Sequence, residues 1–389
     1  MRRKRIVVMG FMAGIPIAGV IWQHLHYIAG LQRLGHDVYY IEDSARLPYD
    51  PIRQEITEDC ALPAATLSRL ADEFDFAGRW AFRARYLPGR DCLGLPAKRI
   101  DALYREADAI LNVCGAQEFH EDLLRSERIL YIESDPGVEQ VTIDQNPEAL
   151  ANLRKYRALF TFGENVASSD FPVPLHNAEW FPTRQPVVTE FWKSSGALPP
   201  DARFTTVANW STSGKKDIEW RGEKYLWSKS AEFLRFIDAP LRAGETFELA
   251  TTLNDPALAA EFVAKNWRLT DPDPLSRDHA RYRDYLRNSK GEFTVAKDQY
   301  VRLRTGWFSD RSACYLAAGR PVITQQTGFT RNYGGERGLI AFETLEEIAE
   351  AVQRINRDYS LHARAAWEIA AEYFEATKVL ASLLERAGI

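Results

Sequence analysis

The run TGWFSDRSACYLAAGRPVITQQTGF, residues 305–329, concentrates groups suited to holding a phosphate. Ser309 or Asp310 can cap a helix whose first turn offers backbone N–H groups and the positive end of its dipole. Arg311 adds a guanidinium fork matched to phosphate oxygens, and Ser312 adds a hydroxyl. Gly319 ends the helix and Pro321 opens the next strand, which delivers Gln325, Gln326, Thr327 and Gly328 to its carboxyl end. A second polar stretch, NWSTSGKKDIEW, offers Ser213 with Lys215 or Lys216 as a phosphate nest and its counter-charge. Lys229, at the start of a helical stretch, can reach the same anion or remain solvated.

Groups able to move a proton lie in the first half of the chain. His24 and His26 follow a loop containing Gly14, Pro16 and Gly19, and imidazole titrates near neutral pH. Two residues apart on a helix, they point to different faces, so at most one can face a cleft. Asp135 and Glu133 end an apolar run just before Pro136 and are the rival proton acceptors.

The surrounding patterns supply elements to position these groups. KRIVVMGF is a β-branched apolar run. Ile21, Leu25, Ile28 and Leu31 mark one helix face, Gly35 closes that helix, and DVYYIED is the next strand. Residues 4–43 therefore read as a βαβ unit. ADAILNVCG, RILYIESDPG and ALFTFGEN are further buried strands whose polar ends would line the crevice of an open parallel sheet. Residues 44–100 read as helices and loops covering that sheet. Pro172, Pro174, Pro182, Pro186, Pro199 and Pro200 mark 165–200 as a linker region.

A second series follows, with strands in RFTTVANW, ETFELATT, GEFTVAKD and RPVITQ. Helices are expected at Lys229–Ile237, Pro256–Asn266, Arg277–Arg287 and Ser309–Ala318, with a helical tail from Leu345 to Ile389. The expected fold class is α/β: two doubly wound Rossmann-like domains facing a cleft, with a C-terminal helical tail.

The opening residues pose a separate question. RRKR at Arg2–Arg5 precedes seventeen uncharged residues, Ile6 to Trp22, the outline of a signal peptide or membrane anchor. A membrane helix needs roughly 20 apolar residues, and three glycines and a proline interrupt this run. Cleavage near Ala18 would remove the first strand of the βαβ unit. The stretch reads instead as a buried strand and a loop at the cleft, in a cytoplasmic protein without an integral membrane segment.

Composition narrows the function. A net charge of −5 over 389 residues argues against a nucleic-acid surface. Cys60, Cys92, Cys114 and Cys314 form no CxxC pair, so neither a zinc site nor a thioredoxin motif is supported. No histidine cluster stands out as a metal site. Glycines at 10, 14 and 19 do not fit the G-x-G-x-x-G of a nicotinamide enzyme.

Residues 305–329 resemble the C-terminal domain of GT-B glycosyltransferases, where a helix followed by A-x-G-x-P-V-I binds the diphosphate and ribose of a sugar nucleotide. AAGRPVI at Ala317–Ile323 and SDR at Ser309–Arg311 are most similar to a bacterial group, of the glycosyltransferase group 1 type, related to CgeB-like proteins. RLGHDVYYIED resembles the GH-x-V end of the first GT-B helix. Cys314 stands where many members carry a ribose-binding Glu. Cysteine cannot accept two strong hydrogen bonds from a diol, so ribose recognition is expected from elsewhere.

The resemblance implies an N-terminal acceptor-side domain over 1–195, including the linker. A nucleotide-sugar domain follows over 196–370, and a helix over 371–389 returns to the first domain. It implies a donor site at Ser213, Lys215, Lys297, Ser309, Asp310, Arg311 and Ser312, with Tyr300 beside Lys297 near the base. Gly14, Pro16 and Gly19 would face the acceptor, and His24, His26 or Asp135 would carry the proton. The expected activity is metal-independent hexosyl or pentosyl transfer from a nucleotide-diphosphate sugar to an unidentified acceptor, with no cofactor beyond that donor. The alternatives are a nucleotide-sugar epimerase of the same fold and a non-catalytic nucleotide-sugar-binding protein. On this reading Arg311→Ala weakens donor binding with little loss of thermal stability.

Overall fold

Apolar β-branched runs become the centres of two parallel sheets in the computed structural model, which describes residues 2–89, 92–194, 197–211 and 217–389. The first sheet orders its strands in space as Trp180–Pro182, Ala158–Thr161, Ile129–Glu133, Ala109–Val113, Arg5–Met9, Asp37–Ser44, Trp80–Ala84 and Cys92–Gly94. Neighbours pair in parallel except the last strand, which is antiparallel. The second sheet runs Trp267–Thr270, Phe247–Ala250, Phe204–Val207, Gly291–Thr294, Val322–Gln325 and Leu339–Phe342, all parallel.

In each sheet the order reverses at the first strand. Arg5–Met9 lies between Asp37–Ser44 and Ala109–Val113. Phe204–Val207 lies between Phe247–Ala250 and Gly291–Thr294. Such switch points open a crevice at the carboxyl ends of the strands.

The opening run is a strand at the sheet centre: Ile6, Val7, Val8 and Met9 are all fully buried. Among the described residues no helix is long and apolar enough to cross a membrane. After the glycine loop the first helix spans Ala18–Arg33. It ends in a Schellman turn: Gly35 has φ +83°, its N–H reaches Gln32 O, and the His36 N–H reaches Leu31 O.

The chain's last helix, Ala376–Arg386, packs on the first one at Gly30. A Cβ there would lie 2.6 Å from Leu380 Cδ1 and 2.8 Å from Ala376 Cβ, so glycine permits the close approach. Backbone bonds between Val187 and residues 374 and 376 fasten the same tail to the first half of the chain.

Three parts of the sequence reading change. Residues 44–100 hold the helix Ala61–Glu73, but they also extend the first sheet by two strands, Trp80–Ala84 and Cys92–Gly94. The proline-rich segment contributes an edge strand, Trp180–Pro182, where proline's missing donor is tolerated. The second sheet gains Trp267–Thr270 and Leu339–Phe342, short strands at its two edges.

Candidate active site

Two cavities lie between the carboxyl ends of the sheets. The larger, about 570 Å³, is walled mainly by the first half of the chain, including Phe11, Gly14, Glu42 and Asp135. The smaller, about 350 Å³, lies between the start of the first helix and residues such as Trp227, Lys229 and Lys297. Val20, Asn209 and Asp310 line both, so the cavities meet there.

The smaller cavity gathers cations. Arg311 is held from beneath: Nε donates to Glu292 Oε1 at 2.6 Å, Nη1 to Val207 O at 2.6 Å and Nη2 to Thr294 Oγ1 at 2.9 Å. Glu292 is fully buried, so this pair fixes the guanidinium and neutralises much of its charge. Lys297 donates to Asp135 at 2.5 Å and sits 3.5 Å from the centre of the Trp227 ring. The Lys229 side chain has no hydrogen bond or ion pair among the described residues, only the face of Trp307 at 5.7 Å. Burial, Arg311 and Lys297 together lower its pKa to about 7. A cation so placed favours an anionic ligand, which would relieve its repulsion from its neighbours.

Asp310 opens the helix Asp310–Ala317, with Ser309 as its N-cap residue. The Ser309 side chain makes no capping bond. Burial raises the Asp310 pKa despite Arg311 beside it. Ser309 and Ser312 are buried and line neither cavity, so the hydroxyl roles expected for them are corrected to packing beneath the helix start. Ser213 and Lys215 lie outside the described residues.

The wall of the larger cavity is organised by Glu42, near the carboxyl end of the strand Asp37–Ser44. Its carboxylate accepts from the Ala13 and Gly14 N–H groups at 2.6 and 2.8 Å and from the Tyr40 hydroxyl at 2.6 Å. It therefore pins the glycine loop, and burial raises its pKa to about 7. Asp135 accepts from Lys297 and from the Tyr300 hydroxyl. That commitment makes it a bridge between the sheets rather than an unoccupied base. Tyr300 is fully buried against Trp307, so stacking on a nucleobase is ruled out for it.

Both histidines are buried. The His24 ring fills the space above Gly10, where a Cβ would lie 2.0 Å from His24 Cδ2, and its Nδ1 meets Val20 O at 2.8 Å. It lines neither cavity, and burial lowers its pKa to about 4. His26 lies among Trp22, Phe191 and Trp192, with the Val188 N–H on Nδ1 and the Trp192 indole N–H facing Nε2. Burial, reinforced by Arg33, lowers it to about 3. His26 borders only a narrow gap of about 10 Å³ that it shares with Asp310 and Arg311.

The glycine loop divides between the cavities. Gly14 lines the larger one, Gly19 the smaller one, and Pro16 is buried behind them. Cys314, at the ribose-acid position, faces His26 at 3.8 Å rather than the smaller cavity.

No family model matches the chain. No curated protein matches it in sequence. Solved structures do match over their full length. An α-glucosyltransferase in complex with UDP has a TM-score of 0.57 at 12% identity, covering 99% of this chain and 100% of that one. The fold is GT-B. AviGT4, a glycosyltransferase involved in avilamycin A biosynthesis, gives 0.54 at 11%, covering 99% and 97%. Anabaena HepE in complex with UDP gives 0.55 at 14%, covering 99% of each chain.

Within this GT-B fold, the sequence reading singled out Asp310, Arg311 and Lys297, and all three line the smaller cavity. It missed Glu42, Trp307 and Glu292. An acid closing the second strand of the βαβ unit was the available signal for Glu42. Nothing local distinguishes Glu292 within GEFTVAKD.

Proposed function

We propose that this chain is a glycosyltransferase that moves a sugar from a nucleotide-diphosphate sugar to an acceptor hydroxyl. Among GT-B proteins, the resemblance of the SDR and AAGRPVI runs supports a place beside the bacterial CgeB-like group. The observation that carries the reading is the meeting of two cavities at Asp310, one walled by cations and the other by carboxylates.

The smaller cavity takes the donor. Lys229 and Arg311 face the diphosphate, and as the glycosidic bond breaks their positive charge meets the charge developing on the leaving group. Lys297, bound to Asp135, ties the donor side to the acceptor side. Asp310 takes the proton of the acceptor hydroxyl in an inverting displacement. Its raised pKa suits that role, and it stands where acceptor and sugar would meet. The counter-charge comes from side chains, so this reading needs neither a metal nor a cofactor. Residues 1–195 carry the acceptor side, 196–370 the donor side, and 371–389 return to the first.

A thermal-shift panel of UDP, TDP, GDP and ADP with their sugars tests the donor assignment, followed by an acceptor screen by mass spectrometry. Stabilisation by one nucleotide series and an acceptor mass increased by one glycosyl unit are expected. Conversion of the donor sugar without any acceptor would point to an epimerase instead.

A further inference from the structure

The larger cavity carries information about the molecule that enters it. Among the described residues its ionisable lining groups are the acids Glu42, Asp135 and Asp310, with one cation, Arg46. Arg46 belongs to the rim: its side chain is 61% exposed and lies 3.7 Å from Glu118. The backbone N–H groups that an entering anion would use, those of Ala13 and Gly14, are already taken by Glu42.

A buried acceptor atom points the same way. Gln185 is 3% exposed and lines the cavity. Its amide nitrogen donates to Phe308 O, which fixes the amide orientation because only the NH₂ end can meet a carbonyl. The Oε1 atom then has no hydrogen-bond partner among the described residues. A buried acceptor left unmade is costly, and a ligand donor would satisfy it. The remaining walls include Phe11, Phe82, Phe162 and Trp307, whose ring faces suit sugar or aromatic rings and attract cations. The volume lies within the range of about 300–1,000 Å³ usual for small-molecule sites.

We propose that this cavity binds an uncharged or amine-bearing, hydroxyl-rich acceptor of one or two rings and discriminates against carboxylate and phosphate acceptors. The proposal rests on reading the cavity as the acceptor side of a glycosyltransferase. A polyanion such as DNA, present with UDP in one structural neighbour, is excluded by the same charges.

Three matched probes test it: phenyl β-D-glucopyranoside, its 6-amino-6-deoxy analogue and phenyl β-D-glucuronide. Each is titrated calorimetrically into full-length protein saturated with the nucleotide that the thermal-shift panel selects. The neutral and amine probes should saturate in the millimolar range or below, with the glucuronide at least about tenfold weaker, or 1.4 kcal/mol. Asp310→Asn should narrow that gap, and Gln185→Leu should weaken the neutral and amine probes. Equal or tighter glucuronide binding, or no saturation by any probe, overturns the proposal. Failure of every nucleotide to bind in the first step would instead remove the donor reading on which it rests.

Discussion

Arg311 donates from Nε to Glu292 Oε1 at 2.6 Å, so its guanidinium is committed to a fully buried carboxylate before any ligand arrives. Truncating the arginine leaves that charge unpaired. Arg311→Ala should therefore lower stability by about 3–5 kcal/mol, against the sequence expectation of little thermal loss. Urea denaturation of the wild type and the variant measures this. A loss under about 1 kcal/mol would show the pair to be dispensable. Unchanged nucleotide affinity in a charge-removing variant that still folds, such as Arg311→Gln, would remove Arg311 from the donor site.

Lys229 should take up a proton when a diphosphate binds. Its folded pKa is about 7, against 10.5 for an ordinary lysine. Between these values the unliganded protein holds fewer protons than a diphosphate complex in which the lysine is charged. Nucleotide affinity should fall as pH rises above 7, approaching about tenfold per unit for one linked proton. Lys229→Met should abolish that dependence and weaken binding by about 1.5–3 kcal/mol. Calorimetry in buffers of different ionisation enthalpy reads the proton directly, and an uptake of zero at pH 8 contradicts the assignment.

The two histidines make a stability prediction rather than a kinetic one. Their folded pKa values, about 4 for His24 and about 3 for His26, lie below the 6.5 of the unfolded chain. The unfolded state binds more protons in the window between, so stability falls as pH drops from 6.5 toward 4. Each ring should contribute a loss on the order of 1–2 kcal/mol between pH 7 and 5. His24→Gln and His26→Gln should flatten the acid limb of a denaturation–pH profile while turnover at pH 7.5 persists. Abolished turnover in a folded variant would restore a histidine to the chemistry.

Turnover should survive chelation, because Lys229 and Arg311 are assigned the counter-charge. Assays in excess EDTA check this. Activity lost to chelator and recovered with magnesium or manganese would overturn it.

What the sequence revealed follows from how far each signal reaches along the chain. Central strands such as Arg5–Met9 and Val322–Gln325 are short, continuous apolar runs, and their glycine and polar ends were legible as crevice positions. Cys92–Gly94 and Trp267–Thr270 are edge strands of three and four residues, too short for periodicity to announce them. Asp310 and Arg311 were found because a helix start after a loop is a local pattern. The burial of His24 and His26 was not legible because it comes from Gly10, from residues 188–192 and from Cys314, all beyond the helix itself. The pairing of Arg311 with Glu292 spans nineteen residues and two elements, and no spacing rule predicts it.

The central claim is that Asp310 joins a donor cavity to an acceptor cavity and takes the acceptor proton. Asp310→Asn keeps the shape and removes the base. With the donor and acceptor identified, nucleotide affinity and turnover of this variant should be measured side by side. The account predicts nucleotide binding as tight as wild type or tighter, because a carboxylate beside the diphosphate is gone, with kcat lower by about 10²–10⁴. Turnover within a few-fold of wild type, or loss of nucleotide binding with turnover falling in proportion, would contradict it.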